Sequence, residues 1–358
     1  MKIKLEKKLV CPSCSESLEL KVFVKIKDEI IEGIFICQKC KSSFPIIKGI
    51  PRMLDYKLQK KLVTGFDKFQ KKYKKEFSAS GTQKLSTYRS DKRIAKGFNF
   101  EWKLHSKITA EHKIELQHVY GNLISFNDFN NKIVLDAGCG QGRFAYFNNK
   151  YGKAKEVYCI DMGEQVLLAK KNLKEYDNVH IIQASIHNLP FKKNFFDIIY
   201  SIGVLHHLPE PIKGYQSLIK HLKPNGKIFV WIYGHSMISP IINLIKKISL
   251  KFPEPVVYLF SLFPSLLMWP IIIAHKIGKN IKPVKYLTDL LPFGFYTDRT
   301  FPNLWNINFD KMNSSIAFFS KKKDVKKWND RNKLKNFRVS ERYPGQLACS
   351  WRLYAEKK

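Results

Sequence analysis

Two groups of residues in this 358-residue chain have the types and spacing to do chemistry. The first is Cys11-Pro-Ser-Cys14 and Cys37-Gln-Lys-Cys40, two C-x-x-C pairs separated by a segment of alternating hydrophobicity. Two such knuckles brought together offer four thiolates in a tetrahedron, a closed site for a structural zinc ion. A closed site leaves no position for substrate, so its expected role is structural. Redox-active or metal-free thiols are the alternatives. The second group is Asp136-Ala-Gly138-Cys-Gly140-Gln-Gly142, set after an apolar run. Glycines there allow a sharp turn and close approach of backbone to a ligand.

The loop reads Gly-x-Gly-x-Gly, not the Gly-x-Gly-x-x-Gly of dinucleotide binders. Asp136 sharpens the distinction, because a carboxylate there repels a pyrophosphate and suits an ammonium, such as that of S-adenosylmethionine. Asp161, at the end of the next apolar run, is expected to accept hydrogen bonds from both ribose hydroxyls. Met162 is expected to pack on the adenine.

These residues need a frame. Apolar runs Lys132 to Ala137, Glu156 to Asp161, Val179 to Gln183, Phe196 to Ser201 and Lys227 to Tyr233 read as buried strands. Helix-length stretches lie between them, such as Gly163 to Tyr176 and Pro209 to Leu222. That alternation predicts an α/β fold with a doubly wound, mostly parallel, Rossmann-like sheet, next to a small N-terminal zinc ribbon. Pro224-Asn225-Gly226 is a turn expected to feed the fifth strand. The chain divides into a ribbon (1–55), a Lys-rich connector (56–127) with a hinge at Ser78 to Gly81, and a cofactor-binding core (128–234). An apolar insertion or cap (235–297) and a C-terminal completion of the sheet (298–358) follow. A helix from Lys321 to Leu334 and strands Asn336 to Glu341 and Leu347 to Ala355 are expected in the last part.

Val134 to Gly142 with Ile160-Asp161, Ser185 to Phe191, Phe196 to Ser201, Ile202 to Leu208 and Leu222 to Gly226 resemble, in that order, the class I methyltransferases of the ubiquinone-biosynthesis-like group, methyltransferase type 11. The resemblance covers about residues 130 to 234 and implies S-adenosylmethionine as cofactor. It departs at Ser185, where the group usually has an Asp that contacts the adenine amine; serine can still accept a hydrogen bond. Phe44 to Pro51 is similar to the Trm112-like ribbon that accompanies methyltransferases as an activator. A fusion of that kind implies that the ribbon packs on the catalytic domain or helps hold substrate. Gly97 to Trp102 is similar to an aromatic segment that precedes the glycine loop in such fusions. It is expected either to lid the cofactor or to pack as an ordinary aromatic helix.

Methyl transfer needs an aligned acceptor, and for a hydroxyl acceptor a base. His206 and His207 follow the fourth strand, and Tyr233 and His235 close the fifth, on the edge where ligands bind in such sheets. The three histidines are the candidate catalytic residues; a structural role is open for each. Val256 to Ala274 holds no charged residue and is flanked by Lys246, Lys247 and Lys251 and by Lys276, Lys279, Lys282 and Lys285. Pro264 and Pro270 interrupt it, and the chain must return to the same sheet. Residues 236–285 are thus expected to lie on an anionic membrane surface or to cap the substrate pocket.

The balance of 63 basic against 30 acidic residues, +33, suggests a polyanion or anionic membrane. Only nine of the basic residues are Arg, and the Lys are spread through a chain also rich in Ile and Asn, so codon composition competes as the explanation. The charged N-terminus lacks a secretory signal's apolar core, so a cytoplasmic location, peripheral to the inner membrane face, is expected. The favoured function is methylation of a small molecule, lipid-linked or saccharide. RNA methylation is the rival, weakened because Ser201-Ile202-Gly203-Val204 is not the Asn/Asp-Pro-Pro-Tyr clamp for exocyclic base amines. A non-catalytic partner-binding protein is the third reading.

Overall fold

Alternate residues of the central strands face opposite apolar layers, and that pattern fixes the architecture. Leu135 and Ala137 pack with Tyr158 and Ile160 on one face, while Val134, Val157 and Cys159 pack on the other. In the computed structural model, residues 1–77, 99–102, 104–236, 239–278, 280–284, 299–314, 316–330, 334–342 and 350–358 are described. The strands are β1 (Glu19–Ile26), β2 (Glu29–Ile36), β3 (Ser43–Ile47), β4 (Ile50–Met53), β5 (Ile133–Ala137) and β6 (Glu156–Asp161). They continue with β7 (Val179–Ala184), β8 (Phe196–Ile202), β9 (Leu222–Tyr233), β10 (Lys335–Glu341) and β11 (Ser350–Glu356). They form one sheet in the order β1-β2-β3-β4-β7-β6-β5-β8-β9-β11-β10. From β7 to β9 the neighbours are parallel, and β11 runs antiparallel to both β9 and β10.

Helices cover both faces, as a doubly wound sheet requires. Pro211–His221 lays Tyr215 and Leu218 on one side, joined by Val325 and Trp328 of Lys322–Asp330. Ala110–Tyr120, Arg143–Gly152 and Val166–Asn172 cover the other with Leu116, Phe144 and Ala169. The strand order reverses at β5, so the crevice at the carboxyl ends of β5 and β8 is where ligands bind in such sheets.

Four details differ from the expected organisation. The ribbon does more than pack on the core. Arg52 and Met53 pair in parallel with Gln183 and Ala184, which makes the ribbon an extension of the same sheet. Helices Tyr56–Leu62 and Phe66–Lys72, assigned to the connector, share an apolar cluster with Ile34 and Ile47 of the ribbon. The turn at Pro224 to Gly226 falls inside β9, where Asn225 takes a left-handed φ of 61°. The helix Phe301–Asn313, expected with the completion of the sheet, instead packs on the cap helices Ser239–Ser249, Glu254–Phe260 and Leu262–Gly278. Leu304 meets Ile272, and the Trp305 ring stacks on Tyr258 at 4.2 Å. The hinge expected at Ser78 to Gly81 lies outside the described residues.

Candidate active site and metal centre

The two cysteine knuckles have the same backbone. Cys11 and Cys37 each accept a hydrogen bond at the carbonyl from the residue four on, Ser15 and Lys41, both of which sit at positive φ. Each also donates its N–H to the residue five on, Glu16 and Ser42. The folded loops aim all four Sγ atoms at one point, within 4.8 Å of one another. Cys11 Sγ lies 3.5 Å from Cys40 Sγ, and Cys14 Sγ 3.4 Å from Cys37 Sγ. A zinc–sulfur bond of about 2.3 Å sets tetrahedral edges near 3.8 Å, so the four thiols fit zinc with little movement. The expected ligand set Cys11, Cys14, Cys37 and Cys40 is brought together as a closed structural site.

At the other end of β4 the ribbon meets the cofactor edge. Arg52 is fully buried and donates through Nη1 to Glu164 Oε1 at 3.0 Å and to Gln183 Oε1 at 2.7 Å. Gln183 in turn donates to the Met162 carbonyl at 2.8 Å, and Thr64 N–H donates to Glu164 Oε1 at 3.1 Å. Residues 161–164, which carry the expected ribose and adenine contacts, are therefore held from the ribbon side. Sequence reasoning missed this brace. The only local signal was an arginine in a chain that uses lysine almost everywhere else.

The glycine loop keeps its expected geometry. Gly138, Gly140 and Gly142 have φ of 90°, 54° and 83°, in the left-handed region. A Cβ at Gly138 would stand 2.4 Å from Val204 Cγ2, and one at Gly142 would stand 2.6 Å from Leu173 Cδ1. Ser201 Oγ donates to the Ala137 carbonyl at 2.8 Å, tying β8 to the base of the loop. The Trp102 indole lies 3.5 Å from where a Cβ on Gly140 would be, and the Arg143 guanidinium lies over that indole at 5.0 Å. An aromatic side chain thus covers the loop, as the lid alternative expects.

Asp136 is buried beneath this loop, and its Oδ2 has no hydrogen-bond partner. Burial pushes its carboxyl up to about 7, opposed by Tyr200 and reinforced by Asp161. An orphaned carboxylate oxygen beside left-handed glycines is a cradle for a cation. The ammonium of S-adenosylmethionine fits it and a pyrophosphate does not. Asp161 sits at the end of β6 as expected, with its carboxylate already engaged. Its Oδ2 accepts from Gly140 N at 2.9 Å, and its Oδ1 from Gly163 N at 3.0 Å and Gln165 Nε2 at 2.9 Å. Met162 packs into the apolar cluster of the ribbon and its helices. Ser185 Oγ accepts from His187 N at 3.3 Å in a tight turn.

Under the cap the candidate bases separate. His206 and His207 are buried, with ring centroids 4.1 Å apart, and His206 lies 3.9 Å from the Tyr233 ring. Burial lowers both imidazoles, so each is neutral at neutral pH. His207 Nδ1 lies 2.7 Å from the Ile316 carbonyl, which places its proton on that nitrogen. Both ring nitrogens of His206 are buried without a hydrogen-bond partner. His235 is exposed and takes no part in this group. Tyr233 donates to Asp310 Oδ2 at 2.7 Å, and Asn306 Nδ2 donates to Glu101 Oε1 at 2.8 Å. Burial, with the Asp310 charge nearby, holds the Glu101 carboxyl well above its usual range. Glu101, Asn306, Asp310 and the buried Lys246 are the part of this cluster that sequence reasoning missed. Their positions are scattered along the chain, and only the packed cap brings them together.

Residues 135–230 match the methyltransferase domain family. Among curated relatives, a demethylmenaquinone methyltransferase of Staphylococcus haemolyticus is 29% identical over 41% of this chain and 60% of its own length. A tRNA U34 carboxymethyltransferase of Pseudoalteromonas atlantica is 32% identical over 28% of this chain and 31% of its own length. The chain thus spans less than two thirds of these relatives. A solved S-adenosylmethionine-dependent methyltransferase from Aquifex aeolicus superposes with a TM-score of 0.39 at 15% identity, covering 73% of this chain and 98% of that one. The cradle at Asp136, the glycine loop and the family match over 135–230 agree: the chain carries a class I S-adenosylmethionine-dependent methyltransferase domain behind an N-terminal four-cysteine ribbon.

Proposed function

We propose that this protein transfers the methyl group of S-adenosylmethionine to a small-molecule acceptor bound between the carboxyl ends of β8 and β9 and the cap. The observation that carries the reading is Asp136, a buried carboxylate with an unpartnered oxygen below three left-handed glycines. Its role is to hold the ammonium, while Gly138, Gly140 and Gly142 let the backbone come close. A carboxylate has about four acceptor positions. Asp161 uses three on the chain itself, which leaves one for a ribose hydroxyl, where two such contacts were expected. The Ser185 hydroxyl accepts once, from His187 N–H, and keeps a second acceptor position for the adenine amine.

Bound S-adenosylmethionine supplies a methyl group already activated on a sulfonium. The chain's own residues then have to orient the acceptor, exclude water and receive a proton. His206 is placed to receive that proton, being neutral, buried and unpartnered at both nitrogens. Tyr233, fixed by Asp310, lines the same spot and offers its phenolic oxygen for orientation.

Calorimetry on the full chain tests the cofactor half. Wild type should bind S-adenosylmethionine, and Asp136→Asn should weaken binding by a hundredfold or more, from losing a buried charge pair of about 3 kcal/mol. Binding of NAD with no response to S-adenosylmethionine would sink the reading.

A further inference from the structure

The cap helices turn most of their large apolar residues outward. In Glu254–Phe260 and Leu262–Gly278, which run on as 25 residues long and apolar enough to cross a membrane, the residues facing the protein include Ser261 and Ser265. Ser261 Oγ accepts from Trp305 Nε1 at 2.9 Å, and Ser265 Oγ accepts from Asn308 Nδ2 at 2.9 Å. The opposite face, at helical spacing, carries Leu259, Phe263, Leu266, Ile273 and Ile277, with Phe263 67% and Ile277 73% exposed. Ser239–Ser249 repeats the inversion. Lys246 and Ser249 are buried, while Ile241, Leu244 and Ile248 are more than half exposed. A helix surrounded by water does the reverse, because apolar area is what it must hide. An apolar face this continuous marks a surface that meets something other than water.

We infer that this face lies in the surface of an anionic lipid bilayer. The helix does not cross it. Its inner face is bonded to Phe301–Asn313, and the strands before and after the cap, β9 and β11, are neighbours in one sheet. The apolar face therefore lies in the plane of the membrane, at acyl-chain depth, with the helix axis along the surface. Lys247, at the end of Ser239–Ser249, and Lys251 and Lys282, which flank the long apolar stretch in the chain, are exposed and complement anionic headgroups. The same lysines would face like charge across a symmetric contact with a second copy of the chain, so the bilayer is the better partner.

Flotation of the full chain with vesicles tests the inference. The probes are vesicles of phosphatidylglycerol with phosphatidylcholine, and vesicles of phosphatidylcholine alone. Wild type should float with the anionic vesicles at low salt and lose at least tenfold in partition on neutral ones. The triple variant Leu244→Ser, Phe263→Ser, Ile277→Ser should lose at least tenfold on anionic vesicles. These side chains are exposed, so the variant should keep the thermal unfolding and S-adenosylmethionine affinity of wild type, which makes the result independent of the methyltransferase reading. Wild type that stays off anionic vesicles at low salt overturns the inference, as does a folded triple variant that floats like wild type. Sedimentation showing a dimer that the triple variant splits, with no flotation, would assign the face to a second copy.

Discussion

Asp136 and Asp161, the carboxylates at the cofactor edge, come from consecutive strands of the sequence, and the glycines that shape their loop lie between them. At the cap edge of the same sheet, the groups that meet come from positions 101, 206, 233, 246, 306 and 310. The first edge is built from backbone geometry: left-handed glycines, strand ends and one buried carboxylate. The second is built from side chains that three layers of packing bring together. A site of the first kind can be read from spacing, while one of the second kind needs the fold. The difference also predicts how each edge fails.

The largest effect should come from removing the metal. Structural zinc in small ribbons contributes on the order of 10 kcal/mol, and here the ribbon also supplies the strand that covers β7. Chelation, or Cys37→Ser, should unfold residues 1–55, seen as lost hydrogen-exchange protection there, and weaken S-adenosylmethionine binding measured by calorimetry. The cap edge, several strands away in the sheet, should keep its protection. Equal loss at both edges would break the comparison.

Arg52→Ala comes next. It leaves Glu164 and Gln183 without their shared buried partner, which costs about 3–5 kcal/mol when one member of a buried pair is removed. Thermal unfolding should fall accordingly. The S-adenosylmethionine dissociation constant should rise because residues 161–164 lose their brace. Arg52→Lys should rescue only part of both, since the shorter lysine stem stops its ammonium short of the Nη1 position that bonds both acceptors.

A smaller effect separates the edges by pH. The Asp136 carboxyl is raised from 3.8 to about 7 in the folded, ligand-free protein. A raised group of this kind stabilises the fold fully below its ordinary value, and that stabilisation is lost as pH rises through about 7. Ligand-free stability should therefore fall between about pH 4 and 7 through this group. Binding of the ammonium needs the ionised carboxylate, so affinity should rise over the same window, then fall as the α-amino group deprotonates near 8. Asp136→Asn should flatten the rising limb. Calorimetry from pH 5.5 to 9 reads both limbs.

The sequence carried β5 to β8 to within a residue at each end, and β9 from Lys227 onward, because buried strands and glycine turns are local signals. It carried the zinc ligands as well. It put the ribbon beside the sheet where the structure makes it part of the sheet, since the short pairing at Arg52 and Met53 leaves no periodic trace. It expected Met162 on the adenine; the half-buried side chain also packs against the apolar cluster of the ribbon and its helices, a contact that no spacing reveals. It read His235 as one of three candidate bases from its place after β9, but there the side chain is exposed, outside the buried group at His206. The helix Phe301–Asn313 was invisible as part of the cap, because its partners lie far upstream in the chain.

The smallest expected effect tests the cap edge most cleanly. Glu101 is buried, and its carboxyl is held well above the usual range by burial and by the Asp310 charge, which favours the neutral acid in the fold. Its Oε1 accepts from Asn306 Nδ2. Glutamine has the same shape, no charge and the same acceptor, so at about pH 4, where the carboxyl is largely protonated in folded and unfolded chain alike, Glu101→Gln should change stability by less than about 0.5 kcal/mol. Tyr233→Phe, by contrast, removes the hydrogen bond to Asp310 and should cost about 1 kcal/mol. Neither change should move S-adenosylmethionine affinity more than about twofold, because both sit on the acceptor side of the crevice. The two variants part as pH rises above the ordinary carboxylate range. There the unfolded chain ionises at Glu101 first, so wild type loses the stabilisation of its protonated Glu101 from the ordinary value up through the raised one, whereas Glu101→Gln has no proton to lose. Denaturant unfolding at about pH 4 and about pH 7 should show the variant close to wild type at the lower value and more stable at the higher one. A Glu101→Gln protein that is already several kcal/mol weaker at pH 7 would mean that the carboxyl is ionised in the fold and paired with a cation, and the acceptor side would then be a charged site.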